Sequence, residues 1–334
     1  MTGTVKTTSR RILIFTVLTA AALAAAVLGL LFGSAWLDFS QVWSGLWGQD
    51  ANATESLILH TVRLPRVAAG LLAGAGLALS GALLQAATGN ALAGPSIIGV
   101  NAGAGFAMIL CLCFFPMSYR TLPLAAFLGA FACTMLIVLI AGKVGGSKVT
   151  IVLAGVALSS LLNAGISFLK LLYPDQSVSY NYFAIGGVDG VTFPALAAPA
   201  LITLAAFLVA WALAGRINLL CLGDAVASSL GVRVKLLRMI ALILASLLAG
   251  AAVSFAGLLG FVGLMVPHMA RRLLGSDLRL LLPACALLGG ALVTLSDLLG
   301  RVVFAPSQIP AGIITAFIGV PFFFILLMQR RNRL

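Results

Sequence analysis

Charge is what this chain lacks most. Only 8% of its 334 residues are Asp, Glu, Lys or Arg, against about 25% in an ordinary soluble domain. Acids are scarcest, at 8 against 20 basic residues. So few charges cannot clothe the surface of a soluble protein of this length. Histidine is limited to His60 and His268, and none of the five cysteines forms a CxxC pair. That argues against a zinc or iron–sulfur centre and names no metal ligand. Cys111, Cys113, Cys133 and Cys285 lie in apolar runs and read as small hydrophobes, with Cys221 outside them. No Ser-His-Asp set or carboxylate pair can be assembled, so no catalytic residue is expected. Gly142-Lys143 is followed by Val144, so the GxxxxGK[ST] loop that cradles nucleotide phosphates is missing. No cofactor is expected in this chain.

What is present is hydrocarbon. The chain is 62% hydrophobic, in continuous runs rather than the dyad alternation of a transmembrane barrel. A helix needs roughly 20 apolar residues to cross a bilayer. Ten such segments can be drawn, at about 11–33, 65–85, 96–115, 121–142, 149–170, 194–214, 239–257, 258–273, 280–300 and 311–328. The fold class is therefore all-α, a polytopic membrane protein of about ten transmembrane helices. The first run, about 22 residues after Lys6, Arg10 and Arg11, exceeds the 7–15 of a signal-peptide core, so it reads as an uncleaved helix.

The net charge of +12 reads as topology. With the N-terminus placed in the cytoplasm, fifteen of the twenty Lys and Arg fall on the inner side, leaving Arg63, Arg66, Arg120, Lys170 and Arg301 outside. Both termini are then cytoplasmic. The basic residues are scattered among short loops and form no continuous face, so no nucleic-acid partner is expected.

One internal match stands out. Leu71-Leu72-Ala73-Gly74-Ala75 with Gly81 pairs with Leu247-Leu248-Ala249-Gly250-Ala251 with Gly257. The first copy runs inward and the second outward, the pattern of an inverted repeat. A single transmembrane domain with halves at about 1–190 and 191–334 is expected.

Three stretches carry a family resemblance. Gly260 to Arg272 is an apolar, Gly-rich helix ending in Pro267-His268 and two arginines; Arg63-Leu64-Pro65-Arg66 and Gly81 to Pro95 lie upstream. Together they resemble the FecCD family, the permease subunits of ABC importers for iron-siderophores, heme and cobalamin. The family's Q-x4-N-P-L-A-x-P element is matched by Gln85, Asn90, Leu92, Ala93 and Pro95, with Ala91 replacing the first Pro. That replacement predicts a softer helix break. Gln85, Asn90, Pro95, Pro267 and His268 are the candidate pathway and packing motif. His268 has no partner for metal or proton work and reads as a helix-end contact. The family's Asp-His-Arg is here Asp277-Leu278-Arg279, and its Pro-x-Glu-x-Pro is Pro306-Ser307-Gln308-Ile309-Pro310.

The resemblance also assigns two surfaces. Arg63, Arg66 and Arg301 stand at positions where family arginines accept carboxylates from the two lobes of a substrate-binding protein. The residues alone allow interfacial anchors, or an i,i+4 ion pair of Asp297 with Arg301. On the inner side Gly223 and Gly231 bracket two helical turns, with Ala225, Val226, Ala227 and Leu230 as an apolar face. This resembles the family's coupling helix, which makes Gly223, Asp224, Leu230 and Gly231 the expected ATPase contact.

The resemblance implies a permease that moves an iron complex, siderophore first and heme next, from a binding protein into the cytoplasm across the bacterial inner membrane. Cobalamin or molybdate are alternative cargoes, and an ion-coupled secondary transporter is the alternative class. The implied partners are two ABC ATPase subunits, a substrate-binding protein, a second permease subunit (the same chain or a close relative) and the lipid bilayer.

Overall fold

The structure is a computed structural model that describes residues 2–33, 39–47, 53–96, 98–115, 121–143, 148–303 and 305–331. Arg120 and Arg333, which entered the charge argument, lie outside them. Among the described residues every regular element is helical. The helices are α1 (Thr2–Leu31), α2 (Phe39–Trp47), α3 (Ala53–Ile58), α4 (Leu64–Thr88), α5 (Val100–Phe114), α6 (Leu122–Lys143), α7 (Lys148–Leu172), α8 (Gln176–Ile185), α9 (Phe193–Leu220), α10 (Asp224–Ser229), α11 (Val234–Ala256), α12 (Val262–Leu274), α13 (Leu278–Val302) and α14 (Ala311–Arg331). A π-turn, Leu59–Arg63, joins α3 to α4.

Each of the ten apolar segments is occupied by one helix. Among the described residues seven stretches are long and apolar enough to cross a membrane alone: Ser9–Leu31, Ser56–Thr88, Leu122–Ile140, Lys148–Leu172, Phe193–Leu220, Val234–Ala256 and Leu278–Val302. Helices α5 and α12 are shorter, because irregular backbone takes up part of their segments. Helix α4 is the most enclosed span. It packs against α13, α11, α12, α9 and α1. By contrast, α7 and α9 turn Val149, Leu153, Leu161, Phe168, Leu201 and Trp211 outward, as a hydrocarbon solvent permits.

Small residues allow α4 its central place. A Cβ at Gly74 would strike the Gly289 carbonyl of α13, and one at Gly81 the Gly263 carbonyl of α12. Contacts this close are the usual means of helix association where apolar side chains gain nothing by leaving lipid. Along α4 and α11, Gly76 faces the Leu248 carbonyl, and the Ser80 hydroxyl donates to the Ala245 carbonyl at 2.7 Å. Rising numbers on one helix meet falling numbers on the other. The two segments that match in sequence thus lie side by side and antiparallel, as an inverted pair requires.

Both members of this pair are followed by a break. Helix α4 ends at Gly89, whose φ of 63° is left-handed and accessible to glycine. Asn90 then closes an Asx turn, its Oδ1 accepting from the Leu92 amide at 2.9 Å. The chain does not become helical again until Val100. The break is complete rather than softened by Ala91, since Gly89, Asn90 and Pro95 suffice to stop the helix. After α11 the chain turns at Gly257 (φ 66°) and passes Phe261, held at φ 63°. Irregular backbone survives at membrane depth only where other protein or a cavity satisfies it. Here the Leu258 amide donates to the Phe183 carbonyl, Gly187 to Ala256, and Gly312 to Gly186, each at 2.9–3.0 Å. The ends of α8, α11 and the start of α14 are stitched together by backbone.

Candidate functional site: an arginine cluster and an inner coupling surface

The three arginines expected on the outer side lie close together but turn inward. Arg63, Arg66 and Arg301 are 4%, 7% and 5% exposed, and Asp297 is 3% exposed. None of the three forms an exposed rim. Arg66 reaches from the first turn of α4 to α13, its Nε and Nη2 donating to both carboxylate oxygens of Asp297 at 2.9–3.0 Å. Its Nη1 donates to Gln308 Oε1 at 2.8 Å. Arg301 Nε lies 3.0 Å from Asp297 Oδ2, one helical turn back. Other donors serve the end of α1. Arg63 Nη1 donates to the Leu30 carbonyl and, at 2.8 Å, to Leu31; Arg301 donates to Gly29 and Phe32, both at 3.2 Å. The last carbonyls of a helix have no partner within it and carry the negative end of its dipole. Two guanidinium groups therefore cap α1, and Asp297 pairs with both Arg66 and Arg301.

Deeper in, the pathway motif is assembled as a packing unit. Pro267 has no amide hydrogen, so the Gly263 carbonyl loses its partner inside α12. The Gln85 amide approaches that carbonyl and the one at Leu264, at 3.5 and 3.4 Å. Pro95 Cδ would lie 2.9 Å from a Cβ at Gly263. The two breaks thus meet. Between them is a cavity of about 180 Å³, lined by Leu92, Pro95, Asn101, Gly260, Phe261 and Leu264 among others. Asn90 builds the turn rather than lining this space. His268 sits apart, edge-on to Phe322 with ring centres 5.9 Å apart. Among the described residues no group of His, Cys, Asp or Glu could hold a metal ion.

At the end of α4 opposite the arginine cluster, α10 stands off the bundle. Ala227 is fully buried and anchors it. Leu222, Val226 and Leu230 face outward, about half exposed or more. Gly223 and Gly231 have φ values of 95° and 78° and open space where a Cβ would go. Any other residue there is strained by its backbone, not by crowding within the chain. Asp224 Oδ1 accepts from Arg238 Nη2 at 2.7 Å, with Lys148 Nζ at 3.6 Å. The Arg238 hydrogen bond holds the Asp224 carboxyl below its ordinary range, helped by the charges of Arg238 and Lys148. Nearby, Asn218 bridges α9 to α13 by donating to Asp277 Oδ1 at 2.7 Å and accepting from the Leu278 amide at 2.9 Å. Asp277 also caps α13.

The FecCD transport family pattern matches residues 14–329. The chain belongs to the FecCD transport family. It is 38% identical over 286 residues to a probable siderophore transport system permease protein of Bacillus subtilis, YfhA, covering 83% of each chain. It is 38% identical to the ferric enterobactin permease FepD of Escherichia coli, covering 92% of each, and 36% identical to the vitamin B12 import permease BtuC of Vibrio cholerae, covering 93% of this chain and 92% of that one. A solved ABC transporter assigned to the metal-chelate type, in an inward-facing conformation, superposes with a TM-score of 0.85 at 31% identity, covering 95% of this chain and 99% of that one. Family membership makes the chain a membrane transport subunit.

Arg238 was not singled out from the sequence. It is 3% exposed and joins Asp224 to α4. The available signal was a lone arginine one residue before an apolar run.

Proposed function

We propose that this chain is the membrane-spanning permease of an ATP-driven importer that carries an iron complex, a siderophore or heme, inward across the bacterial inner membrane. The carrying observation is the pair of helix breaks meeting at a small cavity inside a FecCD-family bundle. Relatives named for siderophore, ferric citrate and enterobactin transport support an iron complex over cobalamin. ATP is hydrolysed on two separate subunits. The standing helix α10, with Leu222, Val226 and Leu230 uncovered beside Asp224, supports their docking at the inner face. A second permease subunit completes the path, and both termini lie in the cytoplasm. The outer arginine cluster supports a binding-protein dock of carboxylate-bearing lobes. Arg66 and Arg301 share the single charge of Asp297, so these three groups keep a net positive charge. Long-range attraction of that kind steers encounter and weakens with salt.

An ion-coupled transporter is the weaker reading. Such proteins place ionisable groups at depth to carry the coupling ion. Asp297 is buried, but two arginines hold its carboxylate. The test is uptake by cells lacking this chain, offered iron-55 as ferric hydroxamate, catecholate, citrate or heme, and labelled cobalamin. Loss of one iron complex with cobalamin uptake intact is the expected result. Loss of cobalamin alone would move the cargo to the alternative.

A further inference from the structure

The inner face holds a junction that docking does not by itself require. Asp224 begins α10, and Arg238 lies one turn into α11. Arg238 Nη2 donates to Asp224 at 2.7 Å while Nε of the same guanidinium donates to the Ala87 carbonyl at 3.0 Å. Ala87 lies in the last turn of α4, two residues before Gly89, where that helix breaks. Lys148, the first residue of α7, closes the cluster from the other side. Its Nζ is 3.6 Å from Asp224, and a Cβ at Gly89 would fall 2.8 Å from it. A guanidinium is planar and rigid, so two acceptors gripped by one such group keep a fixed spacing. Arg238 is 3% exposed, whereas the side chain of Asp224 is half exposed. The buried group therefore ties a surface helix to the end of the central span.

We propose that Arg238 is a positioning residue that transmits displacement of α10 to the end of α4 and so to the break at residues 89–99. This rests on the reading of α10 as the ATPase seat. A helix cap alone would need only the Ala87 contact, which water or a lysine supplies. The bond from the same guanidinium to a surface helix is what makes the group a link. A lysine offers a point charge on a flexible stem and cannot hold both acceptors at fixed geometry.

The experiment follows two spin-label pairs in the complex with its ATPase subunits, with the exposed Cys221 replaced by Ser. One pair, at positions 228 and 172, reports α10 against the end of α7. The other, at positions 91 and 172, reports the break. Trapping with ATP and vanadate should shift both distances in the otherwise unaltered protein. In Arg238→Gln the 228 distance should still shift and the 91 shift should vanish, with Arg238→Lys intermediate. If Arg238→Gln fails to fold, Arg238→Lys carries the test, with the 228 shift kept and the 91 shift reduced. Full shifts at both sites in Arg238→Lys and in any folded Arg238→Gln would overturn the inference while leaving the docking reading intact. A 91 distance that ignores nucleotide in the unaltered protein would do the same. No response at 228 in the unaltered complex would overturn the docking reading, and the inference with it.

Discussion

Replacing Asp297 with Ala removes the acid that pairs with two buried arginines, Arg66 and Arg301. Arg66 then keeps only Gln308, and Arg301 keeps only the carbonyls of α1. Exposed ion pairs contribute about 1 kcal/mol or less. Breaking a buried pair by deleting one partner costs about 3–5 kcal/mol, because the other charge stays desolvated. With Asp297 at 3% exposure and Arg66 at 7%, the second figure applies. Thermal unfolding followed by circular dichroism in mild detergent should show a midpoint lower by on the order of 10 °C, at a few degrees per kcal/mol. Arg66→Met in the same background should restore part of the loss, because it removes the stranded cation. The two losses should therefore be strongly non-additive. A loss under about 1 kcal/mol for Asp297→Ala, or simple additivity, would mean that the cluster is solvated and that its charges act as an exposed rim.

Three further outcomes are expected. Cysteine introduced at position 176 should react with an impermeant reagent from outside and at 228 only from inside; the reverse would invert the topology. Gly81→Leu should lower stability by about 1–3 kcal/mol or more, since its side chain meets the Gly263 carbonyl with no room to yield; unfolding midpoints check this against Gly94→Ala, where nothing lies within 4 Å of an added Cβ. Asp224 has its pKa lowered by the Arg238 hydrogen bond. Its contribution to stability is therefore present above the unfolded carboxylate value of about 3.9 and lost only as pH falls through the lower folded value. Coupling through this junction should be flat between about pH 6 and 8, and a midpoint in that range would contradict the assignment.

The helices were legible because a bilayer imposes a length and an apolar composition that the chain satisfies segment by segment. The break after α4 was legible too, as Gly89, Asn90 and Pro95 interrupt an apolar run. So were the bounds of α10, where Gly223 and Gly231 supply left-handed turns. The short helices α2, α3 and α8 left no comparable mark, because elements of six to ten residues at a membrane boundary carry no spanning requirement. The i,i+4 spacing of Asp297 and Arg301 pointed to their ion pair. The inward turn of Arg66 was not legible, since its partner lies 231 positions away. Sequence places Arg63 on the outer side; only packing shows that the end of α1 takes up its hydrogen bonds. For the same reason Arg238 was invisible as a link, because the Ala87 carbonyl it holds belongs to another helix.

The central claim is that ATP hydrolysed on separate subunits drives inward passage through this chain. Proteoliposomes containing the permease with its ATPase subunits, loaded with ATP and supplied with binding protein and an iron-55 complex found in the cell assay, test it most directly. Uptake should require internal ATP and persist when ionophores collapse every ion gradient. Uptake without ATP that follows an imposed ion gradient would contradict it.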